Sequence, residues 1–131
     1  MKIVVDASAM AEMLMASEVG TRVERRVLSA PRRHAPHLLD IEVASTIRRF
    51  VLGKQLGVAQ AMSAIEDLSV FPLRRHGHTP LLERVFELRH NLSAYDALYL
   101  ALAEALGATL VTCDAALADV PGARAEVDLI A

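Results

Sequence analysis

The chain has 131 residues, of which 53% are apolar, with a net charge of −2 and a single cysteine. Its length and apolar content exclude disorder and fit one domain, residues 1–131, with a buried core. The charge excludes a global basic field for nucleic acid, and Cys113 alone allows no intrachain disulfide, as in a reducing cytoplasm. From the N-terminus, Lys2 to Val5 predicts a short strand, apolar on both faces and too brief for a leader peptide before Asp6. Asp6 or Ser8 can cap the helix that follows, with Met10, Met13 and Leu14 on one side. Val19, Val23 and Val27 recur every fourth residue and predict a helix to Leu28, with Arg22, Arg25 and Arg26 outward. Pro31 and Pro36 bracket Arg32-Arg33-His34 as a basic loop. Helices are expected from Leu38 to Leu52, stopped by Gly53, and from Val58 to Leu68. Val70-Phe71-Pro72-Leu73 reads as a short strand. A helix from Thr79 or Pro80 to Leu88 is expected to turn Leu82, Val85 and Phe86 inward.

Asn91-Leu92-Ser93 turns into a very apolar helix, Ala94 to Leu106, which Gly107 ends. With Glu104 inside it, this stretch falls short of the roughly 20 apolar residues that span a bilayer, so no membrane partner is expected. Ala108 to Thr112 predicts a second strong strand, and Val127 to Ile130 a last edge strand. Strands alternating with helices predict an α/β fold, a central parallel sheet of about four to five strands flanked by helices.

On this framework four acids stand out. Asp6 and Asp114 end core strands, the sheet edge where open parallel sheets collect ligands. Asp96 opens the most apolar helix, and Glu42 lies in the helix after Pro36. Each has an ordinary structural alternative. Asp6 and Asp114 suit helix N-caps, and Ser93-Ala94-Tyr95-Asp96 has the form of a capping box. Glu42 fits a solvated stripe with Ser45, Thr46 and Arg49. Jointly they point to a cation-binding cleft, because converging carboxylates repel unless protonated or bound to a metal, and hard divalent ions prefer oxygen.

Ile3-Val4-Val5-Asp6-Ala7-Ser8-Ala9 resembles the opening of PIN-domain ribonucleases, especially VapC toxins of bacterial toxin–antitoxin pairs. Ser93 to Ala103 resembles the second signature of that family, and Leu110-Val111-Thr112-Cys113-Asp114 the third. Pro36 to Ala44 fits the remaining motif, a helix bearing a glutamate. The resemblance covers essentially the whole chain. It implies a PIN-like three-layer fold and Mg²⁺- or Mn²⁺-dependent hydrolysis of RNA. It makes Asp6, Glu42, Asp96 and Asp114 the catalytic and metal-binding quartet, with Ser8 and Thr112 as polar companions. Asp40 competes with Glu42, but two residues apart on a helix only one should enter the cleft. A VapB-like antitoxin with a disordered tail is the implied partner.

Arg32-Arg33, Arg48-Arg49 and Arg74-Arg75 are expected to line an RNA path near the strand ends, with Arg32 and Arg33 supporting the site. His76-Gly77-His78 could bind Zn²⁺ but lacks further ligands at finger spacing. Cys113 beside Asp114 could suggest a nucleophile, although a lone strand cysteine is usually core. A homodimer is expected through Met62, Ile65 and Leu68 with Met10, Met13 and Leu14. Two rivals remain. A haloacid-dehalogenase-like phosphohydrolase shares a strand-terminal aspartate, but Asp6-Ala7-Ser8 lacks a second one two residues on. The other rival is a PIN-shaped binding module without turnover.

Overall fold

The computed structural model describes residues 1–131. Its elements in chain order are β1 (Lys2–Val5), α1 (Ala7–Leu14), α2 (Glu18–Leu28), β2 (Arg32–Pro36), α3 (Leu38–Leu52), α4 (Val58–Val70) and β3 (Arg74–His76). Then come α5 (Leu82–Glu87), α6 (Ala94–Leu106), β4 (Thr109–Thr112) and β5 (Val127–Leu129), with 3-10 turns at Thr79–Leu81 and Ala115–Leu117. The five strands form one sheet in the order β3-β2-β1-β4-β5, every pair parallel.

Topology explains the layers. Parallel neighbours need right-handed crossovers, so a chain stepping from β1 to β2 to β3 leaves α1 to α4 on one face. Returning from β3 past β1 to β4 puts α5 and α6 on the other. Accordingly α6 packs on β1, β2 and β4, while α1 and α3 meet the sheet at β4 and β2. Sandwiched this way, β1 and β4 are apolar on both faces: Ile3, Val4, Val5, Leu110 and Val111 are fully buried. Gly107 closes α6 in the left-handed region at φ 63°, which only a residue without Cβ adopts freely.

Four expectations need correction. Arg32–Pro36 is not a loop but the strand beside β1. Pro36 obstructs nothing, since it pairs only with β3, beyond the end of the β1 ladder, and Pro31 precedes the strand. The third strand is not Val70–Leu73 but the polar segment Arg74–His76. Helix α4 runs through Val70, and an edge strand of three residues needs no apolar alternation. The helix before α6 buries Val85 and Leu88, whereas Leu82 and Phe86 are exposed. Its inward face is therefore 81, 85 and 88, one residue off the expected stripe. Finally, Met10, Met13 and Leu68 lie in the core and leave no side chain for a dimer contact; of that set Met62 is the exposed one.

Candidate active site

The strand order reverses between β1 and β4, each of whose crossovers departs in a different direction. A crevice therefore opens at their carboxyl ends. Asp6 sits at that point, its N–H bonded to the Val111 carbonyl at 3.1 Å. It is the N-cap of α1: Oδ1 accepts from the Ala9 N–H at 2.9 Å and from Ser8 Oγ at 2.7 Å. Oδ2 accepts from Thr112 Oγ1. The two hydroxyls tie both strand ends together, because Ser8 Oγ also accepts from the Cys113 N–H at 3.0 Å and Thr112 Oγ1 from the Asp114 N–H at 2.9 Å. Asp6 is thus clamped from both sides, as capping chemistry and as a fixed oxygen donor at once.

Asp114 caps the 3-10 turn through the Ala116 N–H at 2.9 Å. Asp96 behaves differently. Ser93 Oγ accepts from the Asp96 N–H at 3.2 Å, so serine caps α6, but no donor reaches the Asp96 carboxylate. Half of the capping box is missing, and the spare half faces the crevice. On α3, Glu42 Oε1 accepts from Tyr99 Oη at 2.5 Å. Tyr99 is 2% exposed and lies one turn beyond Asp96 on α6, so its hydroxyl reaches across to aim Glu42. Asp40 is spent elsewhere: Arg75 grips it with two bonds of 2.7 and 2.9 Å.

All four acids line one cleft of about 200 Å³, with Ser8, Ser45, Thr46, Arg49 and Tyr99 also on its wall. The electrostatics reflect this crowding. Burial raises the pKa of Asp6 against the hydrogen bonds that lower it, and Asp114 raises it further. Burial and then Asp114 likewise raise Asp96. The Tyr99 hydroxyl titrates far above the usual phenol range, from burial and then its bond to Glu42, so it remains a donor. Burial pushes the Cys113 thiol up to about 11, which removes it as a nucleophile at neutral pH.

The expected arginine path is split. Arg49 borders the cleft, Arg75 is committed to Asp40, and Arg32 and Arg33 sit at the opposite edge of the sheet, where β2 begins beside Lys2. The zinc pairing also dissolves: His76 faces His34, while His78 Nε2 accepts from the Leu38 N–H at 3.1 Å. Tyr99 was missed as a site residue because it reads as one more apolar position; its three-residue offset from Asp96 was the available signal. The stripe Glu42, Ser45, Thr46 and Arg49 was visible as one helix face, and that face is the cleft wall rather than solvent surface.

An all-oxygen carboxylate set suits a hard cation. No three acids converge tightly enough to form an all-protein cage. Mg²⁺ asks for less, being held by one or two carboxylates while keeping most of its water.

Comparison with known proteins gives the frame for this geometry. Residues 3–123 match the PIN domain family. The chain is 41% identical over 128 residues to Ribonuclease VapC1 of Mycobacterium tuberculosis, covering 97% of this chain and 96% of that protein. The crystal structure of PAE2754 from Pyrobaculum aerophilum superimposes with a TM-score of 0.72 at 22% identity, covering 98% and 83% of the two chains. VapBC2 from Rickettsia felis, solved bound to a DNA fragment from its promoter, gives a TM-score of 0.71 at 14% identity over the full length of both. A match that runs from the first strand past the last acid, joined to this shared architecture, means that the chain belongs to the PIN-domain family, among its VapC-type members.

Proposed function

We propose that this chain is a Mg²⁺- or Mn²⁺-dependent endoribonuclease, the toxin of a toxin–antitoxin pair restrained by a VapB-like antitoxin. Membership among proteins named as ribonucleases supports the nuclease class. The observation that carries the rest is that four acids from four separate segments line one cleft. When bound, a divalent cation lowers the pKa of a water and offsets charge on the phosphoryl oxygens. Asp96 and Asp114 are the half-buried acids with oxygens free to hold such an ion. Asp6 supplies a fixed charge that Ser8 and Thr112 keep from rotating. Glu42 has one oxygen steadied by Tyr99 and the other free to take a proton from the attacking water. Arg49, with Ser45 and Thr46, offers the phosphate its polar contacts on the cleft wall.

Asp96→Asn tests the reading, since it removes a charged ligand at constant shape and leaves the Ser93 cap intact. Cleavage of RNA in Mg²⁺ should fall by more than about 100-fold, beyond what loss of an outer partner costs. A folded variant that cuts RNA at the wild-type rate overturns the assignment. Wild-type hydrolysis of a phosphomonoester instead of RNA would favour the phosphatase rival, and RNA binding without turnover the non-catalytic one.

The antitoxin should inhibit by placing a basic side chain in this anionic cleft, best an arginine, whose planar fork matches paired carboxylates. The VapBC pair among the structural neighbours supports such a partner. A complex with the antitoxin tail far from Asp6 and Asp96 would refute it. Self-association is proposed on the exposed side chains of Ile41, Leu82, Phe86 and Tyr95.

A further inference from the structure

A second concave surface, about 900 Å³, opens at the opposite edge of the sheet and carries Lys2, Arg32, Arg33, His34, Arg74 and His76. No carboxylate lines it. The strand register builds it, setting Lys2 beside Arg32 and His34 beside Arg74. Like charges side by side on neighbouring strands, here Lys2 and Arg32, weaken a sheet rather than support it. Of the cations outside this surface, Arg26 pairs with Asp128, Arg75 with Asp40, and Arg84 with Glu87 and Glu104, while the remaining seven are scattered and unpaired rather than gathered on one concave surface. Arg32 and Arg74 are exposed and enter no ion pair.

Their neighbours are positioned without being neutralised. Lys2 Nζ donates to the Leu106 carbonyl at 2.8 Å. Arg33 Nε donates to the Val27 carbonyl at 3.0 Å, and its guanidinium lies 5.8 Å from the Phe71 ring centre. At the floor, His34 is 9% exposed, with Nδ1 2.9 Å from His76 Nε2. Its own Nε2 is buried with no partner. One proton joins His34 Nδ1 and His76 Nε2, and the tautomer decides whether the unpartnered His34 Nε2 is a donor or an acceptor. Unpaired, exposed cations gathered on a concave surface without a carboxylate describe an anion site.

We infer that this trough binds the phosphodiester backbone of the RNA substrate, with Arg32 and Arg74 as the principal phosphate contacts. The inference rests on the ribonuclease reading. A cleft with four acids and one arginine repels a polyanion beyond the scissile group, whereas backbone neutralisation supplies most non-specific affinity. The positive surface must then lie off the cleft. Lys2 opens β1 and Asp6 directly follows it, roughly 13 Å apart at about 3.3 Å per residue, so one RNA reaches both edges.

The test is binding without turnover. In the Asp96→Asn background, Arg32→Ala with Arg74→Ala is titrated against a fluorescent single-stranded RNA of about twenty nucleotides, in EDTA, by anisotropy at several salt concentrations. Affinity should fall at least roughly 10-fold, and the slope of log affinity against log salt should flatten by about 1.4, near 0.7 per lost phosphate contact. Arg89→Ala, a charge change remote from both sites, should alter neither; Arg32→Lys with Arg74→Lys should recover most of the affinity. Unchanged affinity and slope in the double alanine variant overturn the inference, as does a loss seen with duplex DNA but not with RNA. Failure of the protein with Asp96 intact to cut RNA would count against the nuclease reading alone, because the binding measurement involves no cleavage.

Discussion

Asp96 and Asp6 are both raised-pKa aspartates at one sheet edge, yet they respond differently to substitution. Asp6 accepts three hydrogen bonds, so an asparagine there would turn an amide N–H₂ against one of its donors and cost stability even as it removes charge. Asp96 accepts none, which makes Asp96→Asn the cleaner probe of stored repulsion. A carboxyl whose pKa is higher folded than unfolded binds its proton more tightly in the native state. Its folded state therefore loses stability as pH climbs from the unfolded value near 4 through the native pKa, and the deficit persists above it. In EDTA, the melting midpoint of the wild type should decline relative to Asp96→Asn as pH rises from about 4 to 7. Parallel curves would mean that no repulsion is stored at Asp96. Cys113 allows an independent check. With its thiol pushed up to about 11, alkylation by iodoacetamide at pH 8 should run roughly two orders of magnitude slower than for an unperturbed thiol. Rapid labelling of the native protein, followed by mass spectrometry, would contradict that environment.

Two helix pairs hold these residues in place. Across α3 and α6, the bond from Tyr99 to Glu42 is the polar stitch between layers on opposite faces of the sheet. Tyr99→Phe keeps the buried ring and deletes the donor. It should cost about 1 kcal/mol, the usual worth of one hydrogen bond, and reduce RNA cleavage by freeing Glu42 to rotate. Thermal unfolding and cleavage rates measured together decide it, since a purely structural tyrosine would lower stability and leave turnover alone. Between α1 and α2, a Cβ on Gly20 would stand 2.0 Å from the Glu12 carbonyl oxygen. That atom is backbone and cannot swing aside. Gly20→Ala should therefore destabilise by about 1–3 kcal/mol, the cost of overpacking, through displacement of the helix that Asp6 caps. A variant as stable as wild type in urea would show that the two helices can separate freely.

At the scale of the molecule, metal and self-association can be followed in one preparation. A cation that binds only the folded chain adds about 2.7 kcal/mol at roughly 100 times its dissociation constant, enough for a clear rise in melting midpoint. Mg²⁺ should stabilise the wild type and stabilise Asp96→Asn less; no response in the wild type would mean that the four acids do not act as one site. Light scattering at micromolar protein should give a dimer mass, and Phe86→Glu should return it to a monomer by charging an exposed apolar position. A monomeric wild type would refute the association. No helix is long and apolar enough to cross a membrane.

Sequence alone determined the two central strands, the long helices and the acids at their ends, because burial on both faces leaves unbroken apolar runs and a charged residue that closes one is conspicuous. It left β2 and β3 unread: Arg32–Pro36 and Arg74–His76 owe their strand conformation to neighbours far away in the chain, and edge position frees β3, though not the interior β2, from any apolar pattern. The choice of Glu42 over Asp40 needed Arg75 and Tyr99 in space, since helix periodicity says that the two acids diverge but not which of them faces the cleft. The arginines separated for the same reason. Pairs that look equivalent along the chain differ in space: Arg32, Arg33 and Arg74 stand at the amino ends of β2 and β3, whereas Arg49 reaches the acids from α3, and only strand direction and helix packing decide which cation shares their crevice.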